Sequence, residues 1–210
     1  MQLKTDSVKR YIFSIALFFT LSVSFAQLEM PAIEDLPVRM TRSFGIGIDI
    51  GWNGLVGFGP VLQYYVSPHV GIDGGFGISS TGFKFGARGR YLFLEKIFTP
   101  FVGAGFNYGM GLGGAGLAVL SNDDNGNVID YSVKPSAFLQ LTAGADLLTR
   151  GGFFLLFNLG YSILLSEDNV VIVSGTPTVN QQNGLDGFHG SGIVIEFGMG
   201  FIFKNNRGIH

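Results

Sequence analysis

Residues 193–204 read IVIEFGMGFIFK, and the spacing within this stretch decides the fold. Ile193, Ile195, Phe197, Met199, Phe201 and Phe203 recur at every second position, with Val194, Glu196, Gly198, Gly200, Ile202 and Lys204 between them. Successive side chains of a strand point to opposite faces, so the odd-numbered residues share one apolar face. A soluble sandwich would bury that face in a core. A membrane barrel would turn it to lipid and keep the polar positions inside.

Composition separates the two. Of 210 residues, 47% are hydrophobic and only 13% charged, about half the usual charged share. That is too little charge for an ordinary water-facing surface. The 33 glycines lie mainly between apolar residues inside the alternating runs, which points to tightly curved sheet rather than linker. A net charge of −2, without a Lys/Arg cluster beyond the first residues, offers no field for nucleic acid, which is excluded as a partner.

Residues 1–26 read as a cleaved export signal: Lys4, Lys9 and Arg10 form a positive segment, residues 11–23 an apolar one, and Ser24-Phe25-Ala26 a small-x-small cleavage site. The apolar stretch is shorter than the roughly 20 residues of a spanning helix. No later segment is continuously apolar over that length, so membrane residence falls to strands. The chain has no cysteine, so no disulfide supports the exported fold. Residues 27–41, with acids and two prolines and no alternation, read as an extended, mobile periplasmic lead-in.

From residue 42 eight strand candidates follow: 44–52, 55–67, 70–78, 83–94, 101–110, 137–148, 153–165 and 191–204. Asn53-Gly54 is a favoured hairpin turn. Pro60 would remove a ladder hydrogen bond, leaving open a start of the second strand at Val61. The two long links, 111–136 and 166–190, both have odd ordinal numbers, while 67–69, 95–100 and 149–152 are short. That parity belongs to a barrel with both termini in the periplasm and long loops outside. Phe44, Tyr64, Phe93, Phe153, Phe201 and Phe203 then fall near one end, and Trp52, Phe83, Tyr108 and Tyr161 near the other, as two interfacial girdles.

The export signal, the alternating runs, the long odd-numbered links and the near-terminal GMGFIFK strand resemble the small outer-membrane β-barrel, porin-like family of Gram-negative bacteria over residues 42–204. The resemblance implies an all-β, antiparallel, eight-stranded up-and-down transmembrane barrel in the cell outer membrane. Its implied partners are outer-membrane lipid, lipopolysaccharide and the barrel-assembly machinery. Residues 205–210 form a tail where the family usually ends on an aromatic residue.

Inward positions carry Asp49, Asp73, Asp146 and Glu196 against Lys84, Arg88 and Arg90. An eight-stranded barrel is just wide enough for side chains to fill, so these groups are expected to pair as a polar plug rather than line a pore. The expected function is non-enzymatic: a surface barrel whose loops 111–136 and 166–190 meet an extracellular ligand. The alternative is a small porin-like channel for ions or small apolar solutes.

Three local motifs are weighed against chemistry. Residues 122–127 (NDDNGN) lack the acids a calcium loop needs at Ser121 and Ser132, and read as a turn. Residues 109–114 (GMGLGG) fit a dinucleotide glycine pattern, with no β-α-β context around it. His189 and Ser191, two apart, would share a strand face, with Glu167 as an orienting acid. That pair is similar to the His-x-Ser pair of outer-membrane lipid A deacylases, and the resemblance implies a second alternative, lipid A modification. His69 and His210 have no metal-ligand company, and neither a metal nor a cofactor is expected.

Overall fold

In a computed structural model, the structure describes residues 37–120 and 128–205. The export signal, residues 27–36 of the lead-in, the turn at 122–127 and most of the tail lie outside them. A short helix, α1 (Val38–Thr41), leads into β1 (Arg42–Trp52), β2 (Phe58–Ser67), β3 (Val70–Ser79), β4 (Gly82–Leu92) and β5 (Phe98–Gly109). Then come β6 (Leu112–Leu120), β7 (Val128–Val133), β8 (Ser136–Leu148), β9 (Phe153–Leu164), β10 (Val170–Ser174), α2 (Val179–His189) and β11 (Gly192–Lys204).

Eight strands close into an antiparallel barrel in the order β1-β11-β9-β8-β5-β4-β3-β2. The seam joins the first and last of them, from Arg42↔Lys204 to Trp52↔Ile195. Closure removes every strand edge, so all eight ladders are paired without a covering element. The alternation is strict: Ile46, Ile48, Ile50, Phe76, Phe85, Leu141, Ile195 and Phe201 face outward and are exposed. Their neighbours Asp49, Arg88, Arg90, Thr142 and Glu196 are buried inside. The outer wall is apolar and the lumen polar, the reverse of a soluble β-protein.

The lumen is stratified. Tyr65, Leu92, Phe101, Leu148, Phe154, Leu156 and Ile202 form an apolar layer, with Val38 packed against it. The links 68–69, 93–97 and 149–152 lie at the end where β1 begins and β11 stops. At the opposite end β6, β7 and β10 form a separate sheet in the order β10-β7-β6, with α2 beside it. Ile129, Tyr131 and Val133 of β7 bury against Leu185 of α2, flanked by Leu112, Val170 and Ile172. Residues 111–120, 128–136 and 166–190, the described parts of the two long links, thus fold into one structured cap with its own core.

Several boundaries depart from the sequence reading. The second strand begins at Phe58, not at Leu55 or Val61, and Pro60 lies within it. Pairing with β3 runs Phe58↔Ile78 and resumes at Val61↔Gly75, so the proline sits where that ladder is interrupted. Pro100 likewise lies in β5, at the point where β4 gives way to its turn and Phe93 N–H donates to the proline carbonyl. Prolines are tolerated near strand ends because the missing donor is not needed there. Residues 38–41 are not extended lead-in but one helical turn, and Arg39 within it is buried.

Candidate functional site: the lumen and its two closures

Five ion pairs run along the lumen. Arg39 meets Asp146 (2.9 Å), Arg90 meets both Asp146 (2.6 Å) and Asp73 (2.7 Å), and Arg88 meets Asp73 (3.0 Å) and Glu196 (2.8 Å). The ladder follows from register: Asp73 and Arg88 are cross-strand partners, and Arg90 lies two residues along β4 on the same face. Tyr65 Oη donates to Asp146 Oδ2 at 2.7 Å, and Asn158 Nδ2 to Glu196 Oε1 at 2.7 Å. The Arg90 guanidinium lies 5.2 Å from the Phe101 ring centre, where the aromatic face supports its charge.

Of the seven charged residues expected in the lumen, all are buried, and the structure adds Arg39 as an eighth. Four carry each sign, so the lumen is formally neutral and has no net charge that would select ions of one sign. Two of the seven do not pair as expected. Lys84 Nζ donates to the Gly54 carbonyl at 2.9 Å and lies 5.3 Å from the Phe138 ring centre, without a carboxylate partner. Asp49 makes no hydrogen bond among the described residues.

The first closure is made by α1. Arg39 reaches past the strand ends and donates to the carbonyls of Lys96 and Ile97 and to both the side chain and the carbonyl of Asp146. The end of the barrel where the chain enters is thereby sealed by its own leader.

The second closure is residues 53–57. The chain leaves the wall after Trp52, and Leu55 and Val56 bury completely inside the mouth, packed on Val61. Three side chains from three strands hold this lid: Glu196 Oε2 accepts from Leu55 N–H, Lys84 donates to Gly54 and Gln140 to the Asn53 carbonyl. Asn53 (φ +49°) and Gly57 (φ +77°) supply the left-handed conformations that turn the chain in and out. Gly86 leaves the space for Leu55, since a Cβ there would approach its side chain to 2.9 Å. Asn53-Gly54 therefore opens a five-residue lid, not a two-residue hairpin.

His189 and Ser191 do not share a strand face, which corrects the sequence expectation. His189 is the last residue of α2 and β11 begins after Ser191. His189 Nε2 faces Tyr131 Oη at 3.2 Å, while Ser191 Oγ accepts from Leu164 N–H at 2.9 Å. Each is tied to a structural partner rather than to the other, and Glu167 is exposed on the link above β9. Among the described residues no three His, Asp or Glu side chains cluster as metal ligands.

Burial pushes the His189 imidazole below its ordinary value and the Tyr131 phenol above its own. The docked helix thus favours neutral histidine, whereas an undocked one would titrate near pH 6.5. Docking of α2 is at full strength above that pH and weakens as the pH falls through the lowered value. Protease cleavage within α2 of the purified protein is expected to accelerate on acidification, and His189→Gln to remove the dependence. Equal acceleration in both proteins would locate the effect elsewhere.

The expected interface aromatics take outward positions. Phe44, Trp52, Tyr64, Phe83, Phe93, Phe153, Tyr161, Phe201 and Phe203 are exposed, and Tyr108 is half-buried beside Phe85, with ring centres 5.6 Å apart.

Compared with known proteins, the chain matches no protein-family model and no curated protein. Among solved structures it is similar to the crystal structure of Acinetobacter baumannii CarO, with 12% identity over 79% of this chain and 99% of that chain and a TM-score of 0.41.

Proposed function

We propose that this chain is an outer-membrane barrel that is closed to solutes and holds a folded cap at the cell surface, without enzymatic activity. The observation that carries this reading is a lumen filled by a neutral ion-pair ladder and stoppered at both ends, inside an apolar wall. A continuous exposed apolar wall is unstable in water and stable in hydrocarbon. The outward aromatics are the two girdles of that wall, with β1 and β11 beginning and ending on the periplasmic side and the signal of residues 1–26 removed on export. The cap formed by β6, β7, β10 and α2 then lies outside, where its edges can meet an extracellular ligand. Lipid and lipopolysaccharide surround the wall, and the barrel-assembly machinery inserts it.

Protease applied to intact cells is expected to cut only within residues 111–136 and 166–190. Cuts at 93–97 or 149–152 would invert the topology.

The lid favours a second reading, a gated small channel, because the mouth is closed by a loop rather than by a strand. Glu196 decides between them, since it anchors both the lid and Arg88. On the closed-barrel reading, Glu196→Ala lowers the melting temperature in detergent before any current appears in planar bilayers. Increased conductance with unchanged melting would establish the channel.

A further inference from the structure

The lid has an effect on the outside of the barrel. Because the chain turns inward after Trp52 and regains the wall only at Phe58, the rim between β1 and β3 is notched. The backbone at Gly57 closes against β3 so tightly that a Cβ would stand 2.4 Å from the Ile78 carbonyl oxygen. Beside it is a pocket of about 150 Å³. Its apolar wall is Ile50, Trp52, Phe58 and Ile78, all on the outward face. Asn53, Ser79 and Ser80 border it on the side of the cap. Phe188 of α2 stands edge-on to Trp52, with ring centres 4.6 Å apart, and its carbonyl accepts from Ser80 Oγ at 2.6 Å.

We infer that this notch is a binding site for one acyl chain of an outer-leaflet lipopolysaccharide molecule, held with its carbonyl end at the Asn53 amide. The inference rests on the membrane placement proposed above. Three observations choose the occupant. The apolar wall of the notch is continuous with the lipid-facing wall, so hydrocarbon is the solvent that reaches it. An open notch of this volume with a mainly apolar lining has room for a short length of acyl chain. The polar border carries no charge, and with the Ser79 and Ser80 hydroxyls engaged by Thr81 and by the Phe188 carbonyl, its donor is the Asn53 amide, one N–H of which reaches the Ile193 carbonyl; a neutral N–H suits an ester or amide carbonyl rather than a phosphate. The leaflet on the cap side of such a membrane is the lipopolysaccharide leaflet.

Trp52 is the only tryptophan in the chain and lines the notch, so its fluorescence reads occupancy directly. The full mature chain, refolded into vesicles of chain-brominated phosphatidylcholine, is expected to show quenched Trp52 emission. Adding unbrominated lipid A should then restore emission well beyond its mole fraction, as preferential occupancy displaces brominated chains. In Ile78→Phe, which narrows the notch from the outward face, restoration should fall to the mole-fraction value while quenching persists. Restoration merely proportional to mole fraction in the wild-type chain overturns the site and leaves the membrane placement standing. Absence of quenching in both proteins overturns the placement itself, and the site with it.

Discussion

Arg90→Ala is expected to destabilise the barrel by about 3–5 kcal/mol, the cost of leaving one buried negative charge uncompensated in the ion-pair ladder. Arg90 bridges Asp73 and Asp146 and is fully buried between the Phe101 and Tyr65 rings. Its removal leaves each acid with one arginine, Asp73 with Arg88 and Asp146 with Arg39, and the lumen with more acid than base. The ladder's two halves also lose their only shared member among these pairs. Urea titration of the refolded protein, followed by Trp52 emission, gives the measurement. A loss below about 1 kcal/mol, the range of exposed ion pairs, would mean that water reaches the ladder and screens it, and that the lumen is wet enough to conduct.

Phe197→Arg is expected to cost about 2–4 kcal/mol in vesicles, the penalty for arginine on a barrel's lipid face near the membrane midplane. Phe197 lies midway along β11, between Ile50 of β1 and Phe157 of β9, and points outward. Phe203→Arg, on the same face at the end of the strand, should cost only about 0–1 kcal/mol, because an interfacial arginine stays hydrated. The gradient between the two positions is the diagnostic. Equal costs would show that the outer wall does not face hydrocarbon, whatever the absolute stability.

The barrel was legible because its signal is periodic. A side-chain repeat of two, sustained from Phe44 to Lys204, survives substitution of any single residue, and the sorting of links by length needs no side chain at all. What escaped was local or non-periodic. Leu55 and Val56 continue the apolar character of their neighbours, and nothing in their identity says that they leave the wall and enter the mouth. Arg39 precedes the first strand, so no alternation assigns it a side. Tyr65, Gln140 and Asn158 sit at inward positions by the same parity, but they carry no formal charge to mark them as members of the network. Helix α2 was obscured by Asn183, Gly184 and Gly187, which lower helix propensity. The missed signal was the capping box, in which Thr178 Oγ1 accepts from Gln181 N–H while the Gln181 side chain accepts from Thr178 N–H. That helix moves His189 off the strand it was expected to share with Ser191.

The seam between β1 and β11 has a kinetic meaning. Arg42 Nη1 bonds to the Ile202 carbonyl across 160 positions of sequence, so the ring cannot shut until nearly the whole polypeptide has left the ribosome. Contacts of such separation make for slow folding, and unpaired edges invite aggregation while they wait. The nascent chain therefore keeps β1 without its seam partner until β11 has been made, and on the outer-membrane reading proposed above it reaches the membrane with the ring still open. A version truncated before Gly192 should be degraded rather than inserted, however intact its other seven staves.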